Sequence, residues 1–251
     1  MIDVMRIDLA RGAALGSVAL CISLMAVACS GGKQPESSRL SAFSAAELCH
    51  GALSGQAASA VDFLTGEEIY AAGDPDSPDK AADVLAETYV AGTASTSEES
   101  QHACSIEEPD SVGEPYLQIN AQFTDETDVD EAADISAKNR RNLEGLQYLD
   151  QGHVALASGR FAALYFKCVS PKLKFSSATT PALVSVTLEA GAGVQALHPP
   201  EKATERVREA NLAVVHSVAY RIAHRWACVD GSKLSKAAVL KRVPVAASSS
   251  G

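Results

Sequence analysis

Cysteine and histidine stand close together at two places in the chain, and this pairing could hold a metal ion. Cys49 directly precedes His50, and His102 lies two residues before Cys104. Thiolate sulfur and imidazole nitrogen are ligands that zinc and copper accept. A disulfide between the two cysteines would remove both thiolates, and we favour this alternative. The sequence therefore predicts no metal site and no cofactor.

The cysteine count supports a disulfide framework. Of the six cysteines, Cys21 lies in an apolar N-terminal segment and Cys29 has a separate role, described below. The other four are Cys49, Cys104, Cys168 and Cys228. Four cysteines allow three pairings. We favour Cys49–Cys104 with Cys168–Cys228, because each pair then closes one half of the chain, and free buried thiols are the alternative.

Residues typical of catalysis occur without the motifs that make them catalytic. Ser77 and Lys80 fit the S-x-x-K pattern of penicillin-recognising enzymes, but the accompanying S-D-N and K-T-G patterns are absent. Ser77 is better explained as a helix cap. His216, Tyr220 and His224 share one helix face. Charged residues lie further back on it, so we expect this face to be solvated: Lys202, Glu205 and Arg206. We name no catalytic residue.

The N-terminal segment has the layout of a secretory signal. Gly12–Ala28 is uncharged and mostly apolar, with Arg6 and Arg11 before it. It is too short for a typical membrane-spanning helix of about 20 residues. Asp3 and Asp8 cancel the two arginines, and a translation start at Met5 instead of Met1 would remove Asp3.

Small residues precede Cys29 in the order Met25-Ala26-Val27-Ala28. This segment resembles the lipobox of bacterial lipoproteins. In that family the cysteine sulfur receives a diacylglyceryl group, and the signal is cut just before the cysteine. The resemblance implies that residues 1–28 are removed and that Cys29 becomes a lipidated N-terminus. Residues 29–43 would then be the lipidated cysteine and a flexible polar tether. An ordinary secretory signal with a chance cysteine is the alternative.

Composition limits the class of partner. The chain has 251 residues and a formal net charge of −10, and removal of residues 1–28 takes away equal numbers of acidic and basic residues. Such an acidic chain is a poor match for nucleic acid. The length allows one large domain or two small ones. The two halves differ in element order and show no repeat, so we expect one extracytoplasmic domain over 44–235 and a loose tail over 236–251.

Local patterns predict the N-terminal helices. Ser44 and Glu47 form a capping-box pattern that starts a helix at Ala45. Ser54 is expected to cap a second helix that buries Val61 and Leu64 and ends at Gly66. Ser77, followed by proline, is expected to cap a third. Asp128–Glu131 is expected to cap a helix that has Lys138, Arg140 and Arg141 near its end and stops at Gly145. We favour this helix over a cation site in the acidic segment.

Apolar patterns predict the strands and the last helix. Tyr116–Thr124 alternates between apolar and polar residues, which is typical of a strand with one buried face, and Cys104–Glu107 is its expected neighbour. Val154–Ala157 and Arg160–Cys168 flank Ser158-Gly159, a two-residue hairpin pattern. The second of these strands is almost wholly apolar, so we expect it to be covered on both faces. A long helix is expected over Glu201–Cys228. The fold class is α+β, a mixed sheet packed by helices and stapled by disulfides.

Three short segments carry a further resemblance: "ELCHGALS" (47–54), "LYFKCVSP" (164–171) and "HRWACVDG" (224–231). Together they are similar to a group of uncharacterised small lipoproteins of high-GC Gram-positive bacteria. The resemblance implies a lipid-anchored module on the extracytoplasmic face of the cell membrane and names no activity. We expect a binding module for an envelope protein or a small ligand. An exported hydrolase-type enzyme with a dispersed site and a structural envelope component are the alternatives.

Overall fold

The centre of the domain is built on the alternating segment that follows Glu114. In this computed structural model, Pro115–Thr124 forms a strand. Leu117, Ile119, Ala121 and Phe123 are buried, whereas the glutamines and the asparagine between them are half-buried. The prediction of a strand with one apolar face is confirmed. The structure describes residues 42–53, 55–72, 77–90, 100–107, 115–127, 146–150, 153–199, 202–228, 232 and 234–239.

Strands and helices follow one another along the chain in an irregular order. Among the described residues, the strands are β1 (Ala42–Phe43), β2 (Tyr70–Ala72), β3 (Gln101–Glu107), β4 (Pro115–Thr124), β5 (Leu146–Asp150), β6 (His153–Ala157), β7 (Phe161–Cys168) and β8 (Ala182–Ala190). The helical segments named for the same residues are a 3-10 turn (Ala45–Glu47), α1 (Leu48–Gly51), α2 (Gln56–Thr65), α3 (Pro78–Thr88), α4 (Ala192–Leu197) and α5 (Glu205–Trp226). This content confirms the α+β class and the long C-terminal helix.

The eight strands form one sheet in the order β1-β2-β3-β4-β8-β7-β6-β5. Every described pair is antiparallel, so the expectation of mixed strand directions is corrected. For β5, β6 and β7 the reason lies in the connections, because parallel neighbours need a crossover of a dozen or more residues. The chain instead returns directly from β5 to β6 and from β6 to β7. The pairing of β4 with β8, from Leu117–Ala190 to Thr124–Leu183, joins the two halves.

The hairpin between β6 and β7 is confirmed, with its turn one residue later than expected. The last ladder pair is Ala157 with Ala162. The Ser158 N–H also donates to the Phe161 carbonyl oxygen at 2.7 Å. Gly159 and Arg160 are therefore the central turn residues, instead of Ser158 and Gly159. The Ser158 hydroxyl accepts from the Phe161 N–H at 3.1 Å, which favours serine at the start of the turn.

Helices cover one face of this sheet. α5 packs across β6, β7 and β8, α3 packs on β3 and β4, and α2 lies against α5. The expectation that β7 is covered on both faces is confirmed only in part. Its even-numbered residues Ala162, Leu164, Phe166 and Cys168 are buried. On the other side Ala163 is also buried, but Phe161 and Tyr165 are half-buried and Lys167 is exposed. A nearly continuous apolar run does not by itself show that both faces of a strand are covered.

The N-terminal helices follow their caps with local corrections. The Ser44 N–H donates to the Glu47 carboxylate at 2.9 Å, but only a 3-10 turn follows before the backbone becomes left-handed at Cys49 and His50. α2 begins after Gly55, whereas we expected Ser54, which lies outside the described residues, as its cap. Gly66 ends α2 in the left-handed conformation, as expected.

Two further helices confirm their side-chain pattern. The Ser77 hydroxyl accepts from the Lys80 N–H at 3.1 Å and caps α3, with Pro78 as the first helical residue. In α5 the expected apolar stripe is buried: Val207, Val214, Val218 and Ile222. This helix is shorter than expected because Thr204 caps its start and left-handed Ala227 ends it.

Several expectations fall outside the described residues. These are the signal segment 1–28, Cys29, the loop from Thr93, and the helix expected between Asp128 and Gly145. Residues 39–251 form one compact unit, with a core shared by both halves of the chain. At its centre, the fully buried Trp226 donates its Nε1 proton to the Ala82 carbonyl at 2.8 Å and stacks on Phe123.

Candidate binding face

The face of the sheet opposite the helices carries a set of half-buried polar side chains. We call it the open face and define it by His102, Gln118, Asn120, Gln122, Tyr165 and Thr187. These residues come from four neighbouring strands, β3, β4, β8 and β7. They point away from the core because each strand buries its alternate residues under the helices.

The strand register brings these side chains into rows. Asn120 pairs with His102 on β3 and with Thr187 on β8. In the next row, Gln122 pairs with Ser185, which pairs in turn with Tyr165. Neighbouring strands lie about 4.8 Å apart, so each row presents hydrogen-bonding groups at that spacing. His102 Nδ1 lies 3.2 Å from Asn120 Oδ1, which orients the imidazole along its row.

The middle of the open face has no described charged side chain, and the charges lie at its margins. Glu189 is exposed in the row of Gln118. Lys167 is exposed at the opposite margin, where its Nζ lies 3.2 Å from Glu126 Oε1. Amide side chains offer both donors and acceptors, and tyrosine, histidine and threonine add more. The face is therefore suited to an uncharged partner with many hydrogen-bonding groups.

Ser185 is a buried polar group within the same rows. It is 2% exposed, and its hydroxyl has no hydrogen-bond partner among the described residues. A buried hydroxyl without a partner destabilises the fold by about 1–3 kcal/mol. The sequence alone did not single out this residue, because a serine in an apolar strand has the same local pattern whether or not its hydroxyl is satisfied.

The two Cys-His pairs do not form a metal site in the structure. Cys49 is bonded to Cys104 and Cys168 to Cys228, with Cα–Cα distances of 5.4 and 5.2 Å. The prediction of two disulfides and the favoured pairing are confirmed. Within the described part of the chain, no group of three or more histidine, cysteine and acidic residues could hold a metal ion.

The three residues on one face of α5 have different surroundings. His224 is exposed and Tyr220 is half-buried, with their ring centroids 6.0 Å apart. His216 is only 3% exposed, so the expectation of a solvated face is wrong at this position. The reason is tertiary, because α2 packs on that part of α5. Lys202, Glu205 and Arg206 are exposed, as expected.

A cavity lies where α2 begins and α5 passes. Its volume is about 230 Å³, and Gln56, His216, Ser217 and Lys236 contribute its polar lining. The Ser217 hydroxyl already donates to the Ala52 carbonyl at 2.6 Å. Residues 236–238 line this cavity, so the first part of the expected loose tail packs on the domain. Sequence reasoning missed this contact, because nothing in an alanine-rich tail indicates where it docks.

Ser77 and Lys80 act as a helix cap in the structure. The Ser77 hydroxyl accepts the backbone N–H of Lys80, which is the role that we favoured over catalysis. None of the described helices is both long and apolar enough to cross a membrane. No family model matches the chain, and neither the curated proteins nor the solved structures contain a match.

Proposed function

We propose that this protein is a membrane-anchored extracytoplasmic lipoprotein and that its domain is a binding module that uses the open face. The single observation that carries the binding role is the one-sided sheet. Helices pack on one face, while the other carries half-buried uncharged polar side chains in register, with Ala163 and Ser185 buried between them.

The chemistry of the open face favours one class of ligand. Gln118, Asn120 and Gln122 supply amide donors and acceptors, and Tyr165 adds an aromatic surface. A ligand of matching chemistry is neutral and rich in hydroxyl or amide groups. It is either a small polar molecule or a polar segment of an envelope protein.

One feature of the sequence and one of the structure support the proposed location. The segment Gly12–Ala28 followed by Cys29 has the order of a lipoprotein signal. The two disulfides agree with an oxidising compartment, because disulfides are rare in proteins that stay in the cytosol. Two acyl chains on Cys29 would hold the protein stably at the membrane, whereas one chain binds only marginally.

Replacement of Cys29 tests the anchor. We expect Cys29→Ala to move the protein from the membrane fraction to the soluble extracytoplasmic fraction, because the acceptor of the lipid is lost. The intact mass of the wild-type protein should show the lipid, and Cys21→Ala should leave it unchanged. A Cys29→Ala protein that stays in the membrane fraction and keeps the lipid mass would refute the anchor.

Replacement of two amides tests the open face. The lipidated protein is purified from native membranes in mild detergent, and bound species are measured by native mass spectrometry. We expect a stoichiometric ligand or partner on the wild type, and at least a tenfold lower occupancy on Gln118→Ala/Asn120→Ala, because lost hydrogen bonds of about 1.4 kcal/mol weaken binding tenfold.

An exposed polar residue on the helical side of the domain serves as the control. Glu87 is exposed on α3 and does not line the cavity beside α2, so Glu87→Ala should keep full occupancy. Unchanged occupancy on the Gln118→Ala/Asn120→Ala protein, with an unchanged circular dichroism spectrum, would place the binding site elsewhere. A wild type with nothing bound would count against the binding module and favour the enzyme or structural alternatives.

A further inference from the structure

The one-turn segment α1 has an unusual backbone. Cys49, His50 and Gly51 have consecutive φ angles of 51°, 56° and 72°. Glycine adopts this left-handed region freely, but Cys49 and His50 are disfavoured there because the β-carbon approaches the following carbonyl oxygen. Such a run persists only where the surrounding structure holds it.

The Cys49–Cys104 bond is one of the contacts that hold this segment. It joins the left-handed turn to β3 at an irregularity, because the register of β3 against β4 shifts between His102 and Cys104. Further contacts lie on the flanks of the turn, where Leu48 and Leu53 are buried in the core. The disulfide therefore links two backbone segments that both depart from regular geometry.

The second disulfide provides a comparison within the same molecule. Cys168 and Cys228 both lie outside the set of described residues with positive φ. The neighbouring Ala227 is left-handed, but it closes α5 with N–H bonds to the carbonyls of Ala223 and His224, a common helix ending. The two bonds span 55 and 60 residues, so their loop-closure entropies are nearly equal. A difference in redox behaviour would therefore come from the local backbone.

We propose that Cys49–Cys104 is a redox-responsive disulfide that an extracytoplasmic dithiol can open, whereas Cys168–Cys228 is a permanent staple. A thiolate of the dithiol attacks Cys49 Sγ, forms a mixed disulfide with Cys49, and expels Cys104 as a thiolate, which takes up a proton. The second thiol of the dithiol then attacks the mixed disulfide and releases Cys49. The dithiol leaves as an oxidised disulfide, and the protein gains two electrons and two protons.

Opening this bond has a structural consequence at the binding surface. The left-handed turn can then relax, and Cys104 no longer ties β3 to it. His102 lies on the other side of the β3 irregularity and contacts Asn120 on the open face. The redox state of Cys49–Cys104 therefore changes the position of β3 and of His102 on the open face. This last step rests on the proposed function, whereas the redox difference between the two disulfides does not.

An equilibrium titration tests the proposal on the full chain. The protein is equilibrated in a series of buffers that differ in the ratio of reduced to oxidised dithiothreitol. Free thiols are then alkylated, and the reduced fraction of each cysteine is measured by peptide mass spectrometry. We expect the equilibrium constant for reduction of Cys49–Cys104 to be at least tenfold larger than that of Cys168–Cys228, which corresponds to about 30 mV. Reduction of both disulfides at the same dithiothreitol ratio, or reduction of Cys168–Cys228 at a less reducing ratio than Cys49–Cys104, would overturn the proposal.

The equilibrium is measured instead of the rate, because the rate of reduction also depends on how exposed each sulfur atom is. Cys49 is 9% exposed, while Cys228 is half-buried and easier for a reductant to reach. A faster attack on Cys228 would therefore say nothing about the strain at Cys49. Because the titration contains no ligand, a negative titration does not count against the proposed binding role of the open face. A negative binding experiment likewise does not count against the redox difference between the two disulfides.

Two glycine variants separate strain at the disulfide from strain elsewhere. His50→Gly removes the disfavoured side chain from the turn, so the difference between the two equilibrium constants should shrink about fivefold. Phe175→Gly is the matched control, because Phe175 has a φ of 67° and is 81% exposed on a loop outside α1. It should leave the difference unchanged. If His50→Gly also leaves it unchanged, the flanking contacts hold the turn in both redox states and the proposal fails.

Discussion

At the scale of single residues, Gly191 decides how the chain leaves the sheet. Its N–H donates to the Tyr116 carbonyl at 2.8 Å, where β8 ends and α4 begins. A β-carbon built on Gly191 would lie 2.0 Å from the Pro115 carbonyl oxygen. Because the obstacle is backbone, no side-chain rotation can relieve it. The requirement for glycine here is steric and comes from β4.

We predict that Gly191→Ala lowers the free energy of unfolding by about 2–3 kcal/mol, because the strand end must move to admit the methyl group. Urea unfolding followed by circular dichroism measures the loss. Gly66→Ala is the comparison, since its β-carbon would meet only the Leu197 side chain at 3.4 Å and its left-handed φ of 74° opposes the change. That variant should lose about 1 kcal/mol, and equal losses in the two variants would contradict the steric argument.

At the scale of elements, two parallel ion pairs join α3 to α5. Arg221 donates through Nε and Nη2 to the two carboxylate oxygens of Asp79, at 2.8 and 2.6 Å. One turn further along each helix, Arg225 binds Asp83 in the same two-pronged manner. The spacing of four residues on both helices keeps the partners in register. Hydrogen bonds from Arg221 lower the pKa of Asp79, with partial burial acting in the opposite direction.

The lowered pKa makes this contact sensitive to acid. A carboxylate whose pKa is lower in the folded state stabilises the fold fully above its unfolded pKa of about 3.9. That contribution is lost as the pH falls through the folded pKa. We predict that Asp79→Asn reduces the free energy of unfolding at pH 7 by about 1 kcal/mol, a value limited by solvent screening of a partly exposed pair.

Urea unfolding of the wild type and Asp79→Asn at neutral pH and again well below the unfolded aspartate pKa measures this dependence. The difference between the two proteins should shrink in acid, because the wild-type carboxylate is then protonated too. Asp83→Asn is the matched control and should have the smaller effect, since the Asp83 side chain is more exposed than that of Asp79. A difference that is constant with pH would assign the loss to packing.

At the scale of the whole molecule, one core and one sheet unite both halves of the chain. The first disulfide lies in the first half and the second lies in the second half. Between them, β4 and β8 pair over eight residues, and α3 packs on α5. The halves should therefore unfold together, although each carries its own cross-link.

Removal of the second disulfide tests this cooperativity. We predict that Cys168→Ala/Cys228→Ala lowers the free energy of unfolding by about 2–4 kcal/mol, mainly through the larger entropy of the unfolded chain. Fluorescence of the only tryptophan, Trp226, and far-ultraviolet circular dichroism should still report one coincident transition. Separate transitions by the two signals would show that the halves are independent domains.

Patterns confined to a few neighbouring residues were sufficient to predict much of the local structure. The alternation in β4, the Ser77 cap of α3 and the apolar stripe of α5 all appear in the structure as expected. These features depend on backbone hydrogen bonds and side-chain direction over one or two turns, so the sequence contains their causes. The favoured disulfide pairing was also confirmed, with Cys49–Cys104 in the first half of the chain and Cys168–Cys228 in the second.

Contacts between distant segments were decided only by the tertiary structure. His216 has the same helical spacing as His224, yet α2 buries one and leaves the other exposed. The left-handed turn at Cys49 overrides a helix start that Ser44 and Glu47 favour. The open face exists because β4, β8 and β7 become neighbours with their polar residues in register. Sequence patterns determine which side of a strand is apolar, whereas long-range packing determines which strands share that side.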